Sequence, residues 1–153
     1  MRLGLICARF LLAAVLLFPA SLVCAAADRS GLNIESQLVW GTNDPKPDAK
    51  LRPVGPKMSA RLANSPFKWN HYYEVNRQTN RVKFNEIKPI TMSKDCQIRV
   101  TNLGDSQVKL DLIGKGQLVN TVTQALPKGE LLVVGGNAED STAWFVIVRQ
   151  ADQ

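Results

Sequence analysis

Polar and apolar residues alternate through much of the second half of the chain. Cys96, Ile98 and Val100 are separated by Gln97 and Arg99, and Val108, Leu110 and Leu112 by Lys109 and Asp111. Side chains along a strand point to opposite faces in turn, so each run predicts a strand with one buried face. Asn102 to Ser106 predicts the turn between them, and Gly114-Lys115-Gly116 reverses the chain into a further strand from Gln117 to Thr123. Pro127-Lys128-Gly129 makes another reversal, Leu131 to Val134 is continuously apolar, and Gly135 to Ser141 reads as a loop. Ala143 to Val148 is apolar on both faces, which places it in the centre of a sheet.

The first half is less regular. Gly31 to Trp40 predicts a first strand, ended by Gly41 to Pro45. Residues 41–66 follow as a proline-rich surface segment, with five of the eight prolines falling between 45 and 66, and an extended course without its own core is expected. Within it Pro56 is suited to open a short helix through Ala63, with Met58 and Leu62 on one face. Beyond Pro66 the period returns to two: Trp69, His71, Tyr73 and Val75 lie on one face, and Asn70, Tyr72 and Glu74 on the other. Arg77 to Asn80 then predicts a turn into a second strand carrying Val82 and Phe84, so the two runs read as a hairpin. Seven or eight short strands with frequent turns predict an all-β domain, an antiparallel β-sandwich or barrel. The cysteine and tryptophan spacing of immunoglobulin domains is missing.

Residues 1–27 have a different character. Arg2 and Arg9 give a positive start, Phe10 to Val23 is largely apolar, and Cys24 to Ala27 are small, which is the anatomy of a cleavable signal peptide. Pro19 interrupts the apolar run, which falls short of the ~20 residues needed to span a bilayer. Val23 is larger than the residue that normally precedes a lipid-bearing cysteine, which argues against lipid attachment at Cys24. An exported protein is therefore expected, periplasmic, on the cell surface or secreted, with a single domain over residues 28–153 and no transmembrane span after cleavage. Loss of Arg2 and Arg9 leaves 17 basic and 13 acidic side chains, a net charge of +4 instead of +6. That surplus is spread along the chain rather than gathered into a stripe, so a nucleic-acid partner is not expected.

Candidate chemistry is sparse. Cys7 and Cys24 lie in the signal, so Cys96 is alone in the mature chain and is expected to be buried and inert beside Ile98 and Val100. His71 is the single histidine. Paired with Cys96, or replaced by two of the scattered carboxylates, it defines the alternative reading of a small exported hydrolase. A blue-copper centre needs a second histidine, so neither a metal nor another cofactor is expected. No G-x-S-x-G elbow and no phosphate-binding loop occurs.

The densest cluster is aromatic: Trp40, Phe67, Trp69, Tyr72 and Tyr73. If one sheet face is open, the ring of Tyr72, opposite Trp69 and Tyr73, reaches solvent. Trp69, Tyr72 and Tyr73 are then the candidate binding residues, flat apolar surfaces for peptide or sugar beside Asn70, Glu74 and Asn76. If both faces are covered, the same rings are core and the proline-rich chain is their lid. The expected function is a non-enzymatic module contacting an envelope protein or glycan, through the Asp44 to Pro66 segment and the face bearing Tyr72.

Overall fold

The structure is a computed structural model and describes residues 30–44, 50–64, 67–137 and 142–151. The expected signal peptide, and residues 45–49 and 65–66 of the proline-rich segment, lie outside the described residues. Two antiparallel sheets face each other. The first holds β1 (Leu32–Thr42), β2 (Arg52–Pro53), β3 (His71–Val82), β8 (Leu132–Asn137) and β9 (Ala143–Gln150) in the order β2-β3-β1-β9-β8. The second holds β4 (Ile87–Thr91), β5 (Cys96–Gly104), β6 (Gln107–Gly114) and β7 (Gln117–Ala125) in sequence order.

The alternation read from the sequence becomes the core between the sheets. Ile98, Val100, Val108, Leu110 and Leu112 from the second sheet meet Ile34, Leu38, Val82, Val146 and Val148 from the first. Two-residue hairpins fit the strand twist when both central residues have positive φ. Asp105 (49°) and Ser106 (60°) join β5 to β6 in this way, and Lys115 (48°) and Gly116 (78°) join β6 to β7. Asn102, expected in the first turn, is instead in β5. Its buried side-chain amide donates to the carbonyls of Ser30 (3.0 Å) and Val82 (3.2 Å) and accepts from Gly104 N–H (3.0 Å), bracing one sheet against the other.

The other face of the first sheet is also covered. The helix α1 (Pro56–Ala63), with proline in its first turn, seats Leu62 beside Val39, Tyr72, Phe145 and Ile147, with Met58, Phe67 and Trp69 at the margin. This explains β9: Val146 and Val148 face the partner sheet, whereas Phe145 and Ile147 face the helix. It also corrects the surface reading of the proline-rich segment, because Val54 and Leu62 are core residues.

Three further expectations change. The strand number among the described residues is nine, with the short β2 at one edge of the first sheet and the short β4 at one edge of the second. The expected hairpin at Arg77 to Asn80 is a single strand, β3, paired with β1 along its length, with Val75 bulged out opposite Leu38 and Val39. Its polar side chains reach across the edge: the amides of Asn76 and Gln78 donate to the carbonyls of Met92 (2.8 Å) and Thr91 (2.7 Å). Gly135 to Asn137, expected as loop, continue β8 and pair with β9.

Candidate functional site

The bulge at Val75 in β3 breaks that strand's alternation, turning Tyr72 to the helix-covered face with Val39 and Tyr73 to the opposite one with Trp40. Register then builds a row across three strands: Trp144 of β9 beside Trp40 of β1, and Trp40 beside Tyr73 of β3. The Trp40 and Tyr73 rings are 6.1 Å apart between centroids, and His71 stacks on Tyr73 at 6.4 Å. Trp40, Trp144 and His71 remain half-buried. Gly136 of β8 lies next to Trp144 in register, and a Cβ placed there meets no atom within 4 Å.

The second sheet stops short of this row. Its Cys96 and Gly114 ends form one wall of a cleft of about 440 Å³, and Leu38, Val119 and Trp144 supply most of the remainder. The lining is mostly apolar, with Ser93, Asp95 and Lys115 at the rim. A concave apolar space of this size with a few polar groups at its edge suits part of an organic or peptide ligand. At the other end of the sandwich a cleft of about 370 Å³ is lined mostly by polar groups, among them Ser30, Asn33, Ser106, Lys128 and Gln150. Gln150 donates to the Leu126 carbonyl (2.7 Å) and to the Ser106 hydroxyl (3.2 Å), next to the Asn102 bonds.

The three rings singled out from the sequence do not form one patch. Trp69 and Tyr72 gather around Phe145, at centroid distances of 5.6 and 6.3 Å, on the helix-covered face. Tyr72 is 4% exposed, so of the two alternatives the one with both faces covered holds: α1, Phe67 and Trp69 occupy the face where an open ring would have lain. Burial also lifts the Tyr72 phenol above its ordinary pKa. Tyr73, 7% exposed, supports the aromatic row from beneath. Trp144 and Val119 were missed because nothing local in an all-apolar strand or in an edge strand signals that the facing sheet ends nearby.

Cys96 lines the cleft but is 6% exposed, and desolvation raises its thiol pKa. A nucleophilic cysteine needs the reverse shift. The ring contact of His71 is with Tyr73, and the backbone of Cys96 bonds to Met92 and Ser93. Among the described residues no three His, Cys, Asp or Glu side chains cluster in a way that could hold a metal ion.

A second concavity, about 620 Å³, lies between α1 and the β7–β8 loop. Its floor is an ion-pair network on the outer face of the first sheet. Arg149 grips Glu35 with two bonds (3.0 and 3.1 Å), Arg77 meets Glu74 at 2.6 Å, and the Gln37 amide also donates to Glu74. These charges satisfy each other, which is the usual condition for polar groups under a partial cover. Fold and site together define a two-sheet antiparallel β-sandwich with one face lidded by a short helix and an aromatic-bordered apolar cleft at one end. No family model, curated protein or solved structure matches the chain.

Proposed function

We propose that this chain is an exported, non-enzymatic β-sandwich module that holds a protein or glycan ligand in the cell envelope or outside the cell. The observation that carries the reading is the asymmetry of the sandwich. Polar groups line the cleft at one end, whereas at the other a row of aromatic rings borders a mostly apolar cleft. Half-buried tryptophans offer flat apolar area at low conformational cost, which suits both sugar rings and peptide side chains. Export is supported by the charged start, apolar run and small-residue end of residues 1–27.

The test is titration of the mature protein with a panel of soluble oligosaccharides and with displayed peptides, following tryptophan emission. A ligand of this site perturbs that emission, and Trp144→Ala weakens it at least about tenfold, since truncating a central aromatic anchor costs about 2 kcal/mol or more. Full-strength binding by both Trp144→Ala and Trp40→Ala variants places the ligand elsewhere and defeats the proposal.

A further inference from the structure

Strand β7 lies at the edge of the second sheet and has β6 as its strand neighbour among the described residues. Natural sheets guard such edges with prolines, charges or brevity, because an unpaired row of N–H and C=O groups captures other chains. Two of the other edges follow this rule: β2 is two residues long and contains Pro53, and β4 carries Lys88 and Pro89. The edge strand β8 has neither charge nor proline and ends in Gly135, Gly136 and Asn137. β7 is the longest of the four edge strands, and its one interruption is a bulge at Val119. Its nine residues, Gln-Leu-Val-Asn-Thr-Val-Thr-Gln-Ala, include no charge, no proline and no glycine. Leu118 and Val119 are 58% and 56% exposed.

The direction of its free groups follows from the register. Leu126 N–H donates to Ser106 C=O at 2.8 Å, and opposed residues in an antiparallel ladder alternate between bonded and non-bonded pairs. Gln124, Val122 and Asn120 therefore bond to β6, whereas Thr121, Thr123 and Ala125 aim their backbone groups outward. A bulge inserts Val119 between the residues opposite Leu112 and Ile113, and this residue lines the apolar cleft below Trp144. Edge and cleft are thus one continuous feature.

We propose that an extended segment of another protein adds to β7 as a fifth strand and anchors an apolar side chain in the cleft between Val119 and Trp144. This deepens the reading of the aromatic-bordered cleft as a ligand site and rests on it. Outward backbone donors and acceptors at strand spacing are satisfied by polypeptide and not by sugar. A second copy of this chain fits poorly. A symmetric contact about Thr123 pairs five residues of each copy, Thr121 to Ala125, and sets Pro127 of one opposite Val119 of the other. Five paired residues from each copy make a small contact beside the ~1,200 Å² at the low end of stable interfaces.

The probe is a displayed library of random twelve-residue peptides, panned on the mature protein. Expected winners have proline-free centres and one apolar anchor. Their affinity falls at least tenfold on Thr123→Pro, which removes an outward N–H and leaves the β6 ladder intact, and the amides of Thr121, Thr123 and Ala125 gain exchange protection when peptide binds. Should Thr123→Pro fold poorly, alternate backbone N-methylation of the winning peptide serves instead and is expected to cause the same loss. No enrichment over an unrelated β-sandwich, full binding by the Thr123→Pro or N-methylated arm, competition by oligosaccharide alone, or self-association abolished by Thr123→Pro each overturns the proposal. If Trp144→Ala weakens binding and Thr123→Pro does not, the edge is wrong and the cleft stands. The opposite pattern defeats the cleft.

Discussion

Cys96 illustrates how much one buried atom can report. It sits on the inner face of β5 among Leu38, Met92 and Ile98, and the loss of water around it raises the thiol pKa. The folded chain therefore holds the thiol proton more tightly than the unfolded chain does, for which the pKa is about 8.5. Its contribution to stability is full below that value and is lost as pH rises through the folded pKa. Urea unfolding at pH 7 and pH 9.5 is expected to show a smaller alkaline loss for Cys96→Ala than for the parent. An equal loss in both proteins would show that the thiol does not contribute. Labelling of the native protein by a thiol reagent is expected to be slow at pH 7 and to accelerate in denaturant. Burial of Cys96 was legible in its alternation with Gln97 and Arg99, but its place beside an open cleft was not, because that depends on where the opposite sheet carries Trp144.

Among the elements, β8 and β9 approach more closely than side chains on both would allow. A Cβ on Gly135 would lie 2.2 Å from the Trp144 carbonyl oxygen and 2.8 Å from the Phe145 ring. The same ring covers Gly41 on β1, where an added Cβ would lie 3.1 Å away. Phe145 spreads across both glycines and holds Phe67, Trp69 and Tyr72 around it. Gly135→Ala is expected to cost about 3 kcal/mol through overpacking against backbone. Its neighbour Gly136→Ala, with open space at the Cβ position, should stay within ~1 kcal/mol of the parent or gain slightly from the stiffer unfolded chain. Denaturant midpoints of the two variants measure the contrast. Similar midpoints would mean that β8 does not lie this close to β9.

At the scale of the whole molecule, both faces of the first sheet are buried, one by the second sheet and the other by α1 with its flanking aromatics. No helix among the described residues is long and apolar enough to cross a membrane. Residues 1–27 carry the export proposal, and intact-mass measurement of protein recovered outside the cytoplasm is its check. The expected mass lacks about the first 27 residues, as small-residue cleavage sites predict. Retention of Met1, or an added lipid mass, would sink it.

The all-β class, the helix at Pro56 to Ala63, the two-faced burial of Ala143 to Val148 and the burial of Cys96 were all determined by the sequence itself. Each is a local matter of period, proline position or composition, and the chain writes such information residue by residue. The polar run Arg77 to Asn80 misled, because a strand whose side chains bond to a neighbouring sheet's carbonyls has the same composition as a turn. Only the tertiary structure decided that Tyr72 is covered, that Trp144, Trp40 and Tyr73 fall in one row, and that β7 is left at an edge. Those facts arise from register and sheet order, which are set by contacts between residues as far apart as Leu38 and Val146. A shift of one residue in pairing would turn every one of these side chains to the other face.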